Sequence, residues 1–369
     1  MTKVFLNFDF YGAGNLGDDL MLDGFVRGMS GLDLDLYCSI PRNTGHQQFR
    51  FPEITFVPKS ERHETAIQCP VWLGVGDTPV QIKSGEWFLL KLEKDYEFAK
   101  KHRKNCFMIG IGAEAEAASH SERFRKVFEE VEMSWTRDEQ SYQTLSNEFG
   151  ISSNKLRIAT DLANISLKEI FSSKDPRLER RYDLGLCYYD ESIDNNSLSE
   201  LKQFLTELRK EGRKILMFAN DVNTAGMFEH KIYKKMIGPF ERKFAKGLNF
   251  LLPPYFEKRT LTSLLEHYRV CSTIMSSRYH ALLTAAWAGC KIVALERSSK
   301  TSALARILGI QELRKPFNPK QLLYAFENAQ PVDQQRLIEL YRMATDSILE
   351  LGNHLKAITE LQTKRGIGR

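Results

Sequence analysis

Apolar residues along the chain follow two rhythms. Runs such as Lys3 to Phe8, Leu34 to Ser39, Val71 to Val75 and Asn105 to Ile109 are almost continuously hydrophobic, as strands covered on both faces must be. Between them, Leu20 to Met29, Phe88 to His102, Ser121 to Val131 and Asp138 to Phe149 carry apolar residues three and four apart, the spacing of one helix face. Ser134 to Thr136 and Arg157 to Ala159 add two short strands. Strands alternating with helices predict an α/β chain built on parallel sheets with crossover helices.

A polar, proline-containing segment from Phe171 to Arg181 interrupts the alternation and reads as a linker. A second series follows, with strands at Asp183 to Tyr189, Lys214 to Ala219, Asn249 to Leu252, Cys271 to Met275 and Lys291 to Leu295. Helices fall at Leu198 to Glu211, Tyr233 to Lys246, Leu261 to Tyr268 and Ala281 to Ala288. The expected organisation is two Rossmann-like domains facing a central cleft, a GT-B-like layout with ligands at the carboxyl ends of the strands. Residues 1–172 form the first domain and 181–325 the second. Residues 326–369 form a C-terminal helical segment, amphipathic from Asp333 to Leu361, that could pack across both.

Composition narrows this picture only slightly. At 369 residues, 42% hydrophobic and 27% charged, the chain is ordinary globular material for two cores. The net charge of +5 suits anionic substrates but is dispersed; the one short basic run, Lys231 to Lys235, reads as a surface helix, and no nucleic-acid partner is expected. Six isolated cysteines without C-x-x-C spacing read as buried small hydrophobes in a reducing compartment, with no metal site. Met1 to Phe10 reads as a first strand rather than a signal peptide, and no apolar run reaches the roughly 20 residues that span a bilayer. The expected location is cytoplasmic, with any membrane contact a peripheral one at the inner face.

Two motifs carry chemistry. Tyr11-Gly-Ala-Gly-Asn-Leu-Gly-Asp-Asp19 directly follows the first strand and opens the first helix. Gly12, Gly14 and Gly17 let the backbone turn tightly and approach an anion at the helix start, with Asn15 and Asp18 as side-chain acceptors. The plainer alternative is a βα turn with Asp18 or Asp19 capping the helix. A dinucleotide fingerprint fits less well, because its acidic partner falls ambiguously at Asp33 or Asp35. The second motif, Met275-Ser-Ser-Arg-Tyr-His-Ala-Leu282, runs from a strand end into an apolar helix. There Arg278 can grip a phosphate or carboxylate and His280 can give or take a proton; a structural ion pair and a core histidine are the plainer readings.

These two segments resemble the G-N-x-G-D and S-x-R-x-H-A-L elements of the polysaccharide pyruvyl transferases. Thr136-Arg-Asp-Glu-Gln-Ser141 is similar to the family's R-D-x-x-S element, Ile109-Gly-Ile-Gly-Ala113 to its G-x-G strand end, and Asp161 follows a strand as expected. Leu73-Gly-Val-Gly-Asp-Thr-Pro79 departs from the family's run of three glycines, with Val75 in place of the middle one. The resemblance implies transfer of a pyruvyl group from phosphoenolpyruvate to a sugar or glycan acceptor, free or lipid-linked, forming a cyclic ketal with no cofactor. His280 and Arg278 are then catalytic, and Arg137, Asn15, Gly17, Asp18 and Gly14 bind substrate, with residues 1–172 on the acceptor side and 181–325 on the donor side; Lys300, on the loop after the Lys291 to Leu295 strand, is a further candidate for the donor phosphate. Glu296, Arg297, Glu229, His230, Tyr188, Tyr189 and Tyr255 are secondary candidates for the acceptor site. Two rivals stay open at this stage: a glycosyltransferase using a nucleotide sugar, and a non-catalytic carbohydrate-binding protein of the same fold.

Overall fold

Because consecutive strand residues are apolar, each strand must be covered on both faces, and the computed structural model meets this demand with two parallel sheets wrapped in helices. It describes residues 1–40, 45–82, 85–172, 179–190, 195–222, 233 and 248–364. The chain divides into two compact units. The first comprises Met1–Gly12, Asp18–Ser166 and Glu339–Arg369, and the second Ala13–Gly17 and Leu167–Ile338.

In the first unit, β1 (Thr2–Leu6), β2 (Leu34–Ile40), β3 (Ile54–Pro58), β4 (Val71–Val75), β5 (Asn105–Ile111), β6 (Met133–Thr136) and β7 (Leu156–Ile158) form one sheet. Its order is β3-β2-β1-β4-β5-β6-β7, parallel throughout. Val4, Phe5 and Leu6 are buried in succession, as are Val71, Trp72 and Leu73, and each such side chain contributes about 1.5–3 kcal/mol by leaving water. Most elements fall where the hydrophobic rhythm puts them, but β3 and the following Arg62–Gln68 helix were not anticipated. The strand is an alternating edge strand ending in proline, a weak signal beside the continuous runs. The helix expected over Asp138 to Phe149 runs as an α-helix only at Glu139–Gln143 and winds as a π-helix at Thr144–Glu148.

The C-terminal Gln334–Lys364 helix begins in the second unit and continues, from Glu339, as part of the first. There Glu350 accepts hydrogen bonds from Trp135 Nε1 (2.7 Å) and Arg157 Nε (3.2 Å), and Ile348 packs on Gly28.

In the second unit, β8 (Tyr182–Cys187), β9 (Ile215–Phe218), β10 (Leu248–Leu251), β11 (Cys271–Ser276), β12 (Lys291–Leu295) and β13 (Gln311–Leu313) pair in parallel in the order β10-β9-β8-β11-β12-β13. A short β14 (Gln330–Pro331) pairs antiparallel with β12. Two further helices, Ser299–Leu308 and Pro319–Asn328, were not read from periodicity, although their punctuation is present. Gly309 closes the first in the left-handed conformation, and Asn318 caps the second ahead of Pro319. The helix expected from Tyr233 to Lys246, the basic run Lys231 to Lys235, and Glu229 and His230 lie outside the described residues, Tyr233 excepted. The linker reading falls partly outside them as well; the division between units comes at Ser166/Leu167.

At the amino edge of this sheet Arg180 donates to the carbonyls of Tyr268 (3.1 Å), Cys271 (2.6 Å), Ala288 (2.9 Å) and Gly289 (3.2 Å). It thereby satisfies acceptors at two helix ends, Tyr268 and Ala288–Gly289, and at the start of β11. All six cysteines are buried outside any disulfide, and burial pushes up the thiols of Cys38, Cys106 and Cys271, that of Cys69 to about 12 and that of Cys290 to about 11, so these five are poor nucleophiles. No helix among the described residues is long and apolar enough to cross a membrane.

The Leu261–Arg269 helix buries His267 against Phe218 and Tyr268, with Nε2 unpartnered among the described residues. Burial lowers its pKa to about 3. The folded protein therefore refuses a proton that the unfolded chain accepts below about pH 6.5, so stability is full above that pH and falls as pH drops toward 3. From pH 7 to pH 5 the loss from this residue is about 2 kcal/mol. Thermal unfolding at the two pH values should show a shallower decline for His267→Phe; an equal decline in wild type and variant contradicts the assignment.

Candidate active site in the second unit

In a doubly wound sheet, ligands bind beyond the carboxyl ends of the strands where the winding reverses. In the second unit that place lies between β8 and β11, and the turns leaving these two strands are locked to each other. Ser276 Oγ donates to Cys187 O (2.7 Å) and accepts from the Arg278 amide (3.0 Å). Ser277 Oγ donates to Tyr189 O (2.6 Å) and accepts from the Tyr189 amide (2.8 Å). The two serines before the arginine thus fix the turn from which Arg278 projects. Arg278 is the extended N-cap of the Tyr279–Trp287 helix, and His280 sits in that helix's first turn. The Arg278 guanidinium pairs with Asp221 Oδ2 at 3.1 Å and lies 5.2 Å from the centroid of the Tyr189 ring. Arg297 lies 4.6 Å from the same centroid.

The glycine segment comes to this place too. Ala13–Gly17 belongs to the second unit although it leaves β1 of the first. Asn15 forms an antiparallel bridge with Asp221, in which the Leu16 amide donates to Asn220 O (3.1 Å) and the Val222 amide to Gly14 O (2.8 Å). The Gly17 amide donates to Asn15 Oδ1 (3.0 Å), an Asx turn at the start of the Leu16–Gly28 helix. Gly17 packs flat against the His280 imidazole: a Cβ built there would stand 2.0 Å from Nδ1. Only glycine allows that approach. Gly14, Asn15, Gly17, Arg278 and His280 are therefore neighbours within one unit, whereas Asp18 belongs to the first unit, where it is buried.

Other candidates have structural partners. Lys300 is half-buried in the first turn of the Ser299–Leu308 helix, whose Thr301 Oγ1 donates to Ser277 O (3.4 Å), so this helix start abuts the Arg278 turn. Glu296 Oε2 accepts the Lys315 amide (2.9 Å). Tyr188 and Tyr255 are buried, and the Tyr188 hydroxyl donates to Asp190, which also pairs with Lys315 Nζ at 2.7 Å. Tyr189 is buried beneath the two arginines, so these tyrosines pack rather than present open rings to a sugar.

In the first unit, Arg137 leaves β6 with its side chain buried. It donates from Nη2 to Thr78 Oγ1 (3.0 Å) and pairs with Asp138 (3.4 Å). Asp138 in turn caps the next helix by accepting the Ser141 amide (2.7 Å). Asp19 accepts from the Gly12 amide (3.2 Å), Gln47 (3.1 Å) and Arg50 (3.1 Å), shaping the loop from inside rather than capping the helix. Val75, the departure from a triple glycine, is an ordinary buried strand residue; the left-handed positions fall one and two residues later, at Gly76 (φ 73°) and Asp77 (φ 63°).

Residues 15–299, well over half of the chain, match the family described as polysaccharide pyruvyl transferase. The chain belongs to this family. No curated protein matches it significantly. Among solved structures it is similar to the UDP-GlcNAc 2-epimerase of Methanocaldococcus jannaschii (12% identity, 95% and 99% of the two chains covered, TM-score 0.64). It is also similar to the UDP-N-acetylglucosamine 2-epimerase of Rickettsia bellii (12%, 97% and 98%, TM-score 0.61). A third is Anabaena HepE in complex with UDP (10%, 100% and 100%, TM-score 0.56). At these identities the likeness establishes a shared GT-B-like fold of two parallel-sheet α/β domains, as expected from the sequence.

For this pyruvyl transferase family member, the contact between Gly17 and His280 gives a direct test. Gly17→Ala must displace the imidazole, moving its NMR resonances. Gly31→Ala, where a methyl group meets nothing within 4 Å, should leave them unchanged. Identical His280 signals in all three proteins contradict the packing.

Proposed function

We propose that the chain transfers the pyruvyl group of phosphoenolpyruvate to two hydroxyls of one sugar in a polysaccharide or glycan precursor, forming a cyclic ketal. The observation that carries this reading is the adjacency, within the family's matched region, of a guanidinium and an imidazole held against a glycine segment at the carboxyl edge of a parallel sheet.

In this reading His280 protonates the methylene carbon of the donor, which becomes a methyl group, and positive charge develops at the neighbouring carbon. A sugar hydroxyl attacks that carbon and returns its proton to His280. The C–O bond to phosphate breaks with its electron pair on phosphate, which departs carrying the proton of the second hydroxyl as that hydroxyl closes the ring. Oxidation states are conserved overall, so the reaction asks for no redox cofactor.

Arg278 holds the leaving phosphate or the carboxylate, stabilising charge with a group already oriented. Arg137 is a further donor contact by its match to the family element. Gly14, Asn15, Gly17 and Lys300 are substrate contacts of the second unit, and Asp18 is a substrate contact by its match to the family element alone. The acceptor is a sugar, free or lipid-linked, met in the cytoplasm, with membrane contact limited to a peripheral one.

Phosphate release from phosphoenolpyruvate across a panel of sugar glycosides tests the reading. Release should depend on acceptor and fall by roughly 10²–10⁴-fold in His280→Ala and by about 10²-fold or more in Arg278→Ala. No release with any acceptor, together with tight binding of a nucleotide sugar, supports glycosyl transfer instead.

A further inference from the structure

We infer that the loop leaving β10, Leu252 to Thr260, is a docking surface that seats the second unit on an anionic lipid bilayer. In this stretch, Leu252-Pro-Pro-Tyr-Phe-Glu-Lys-Arg-Thr260, burial alternates residue by residue over the first five positions. Pro253 and Tyr255 are buried, while Leu252 (39%), Pro254 and Phe256 (53%) are exposed. A surface loop ordinarily turns polar side chains outward, and three apolar ones in succession on the outward side mark a binding surface. The loop is also pre-formed. The Tyr255 amide donates to Pro253 O (2.7 Å), the Glu257 amide to Pro254 O (3.1 Å) and the Arg259 amide to Glu257 O (2.8 Å). The Phe256 ring stands edge-on to the buried Tyr255 ring, with centroids 5.2 Å apart. Thr260 ends the loop by capping the Leu261–Arg269 helix, its Oγ1 accepting the Ser263 amide (3.3 Å). Little ordering is left to be done when the outer face is covered.

The occupant that fits this face is a lipid surface. Three side chains fall well short of the ~800 Å² that each partner buries in a stable protein interface. An apolar tip of that size suffices for shallow insertion among head groups when cations flank it. Lys258 and Arg259 follow the tip directly and are exposed, with Glu257 paired to Arg259 at 3.1 Å, so the rim of the loop is net positive and complements anionic lipid. The place in the fold gives the docking a use. β10, β9, β8 and β11 are neighbours in one parallel series, so the loop leaves the same carboxyl edge as the Arg278 turn, about 15 Å along it. A bilayer met by this loop lies beside the edge at which a lipid-linked acceptor would reach Arg278. The docking itself is independent of the donor, so it stands or falls separately from pyruvyl transfer.

The experiment is co-sedimentation of the full chain with vesicles of equimolar phosphatidylcholine and phosphatidylglycerol, and with vesicles of phosphatidylcholine alone. Wild type is compared with Phe256→Ser, Leu252→Ser and Lys258→Glu, and with Phe49→Ser as a control, since Phe49 is similarly exposed (48%) in the first unit. Thermal unfolding and sedimentation velocity of each protein accompany it. Wild type should bind the anionic vesicles, and Phe256→Ser should weaken that binding about tenfold and Leu252→Ser about fivefold. Lys258→Glu should weaken binding to the anionic vesicles about tenfold. All variants should keep the wild-type unfolding temperature, and Phe49→Ser should bind as wild type does. Wild type that stays in the supernatant overturns the proposal, as does undiminished binding in the three loop variants or an equal loss in Phe49→Ser. Self-association of wild type that the loop variants lose, without vesicle binding, assigns the face to contact between copies of the chain and overturns the lipid surface. Phosphate release with soluble glycosides should be the same in wild type and loop variants, so the donor reading is judged separately.

Discussion

Two main-chain hydrogen bonds, Leu16 to Asn220 and Val222 to Gly14, determine which sheet the glycine segment serves. The segment follows β1, yet Ala13–Gly17 belongs to the second unit, and the arrangement around His280 follows from these bonds. Once the bridge is made, Gly17 is pressed against the imidazole, and a side chain there becomes impossible. The requirement for glycine is thus one of close approach and not of a left-handed backbone, which in this loop is needed at Gly12 and Gly14 instead.

Within each unit, buried charged groups are arranged as pairs. Arg278 faces Asp221, Lys315 faces Asp190, Arg137 faces Asp138 and Arg50 faces Asp19. A buried cation needs such a partner, because an isolated one carries a desolvation cost of several kcal/mol. Each pair also directs its cation. Arg278 combines two features, an ion pair with Asp221 and the Tyr189 ring beside it. The serines of the second motif serve the same end through the backbone, tying the exits of β8 and β11 together.

Much of this was legible in the sequence. Strands buried on both faces announce themselves as continuous apolar runs, and β4 and β12 begin and end where those runs do. The two motifs stood out because glycine spacing and an arginine-histidine pair have few structural uses together. What escaped the sequence depends on partners distant along the chain. Periodicity assigns the glycine segment to the domain it grows from, and only the bridge to Asp221 reassigns its middle five residues. Tyr189 reads as a possible sugar platform until Arg278 and Arg297 are seen over its ring. Asp221 carries no local signal, since a lone acid after an apolar strand has many uses. Short or irregular elements, such as β3 and the π-helical turn at Thr144–Glu148, lack the length that makes a rhythm readable.

The central claim is the fate of the donor carbon. The most direct measurement is carbon NMR of a reaction containing phosphoenolpyruvate labelled at its second carbon and a glycan acceptor. Pyruvyl transfer predicts that the label moves to a quaternary ketal carbon bonded to two sugar oxygens, in step with phosphate release. Label that stays in phosphoenolpyruvate or emerges only as free pyruvate, while a nucleotide sugar is consumed in its place, contradicts the account.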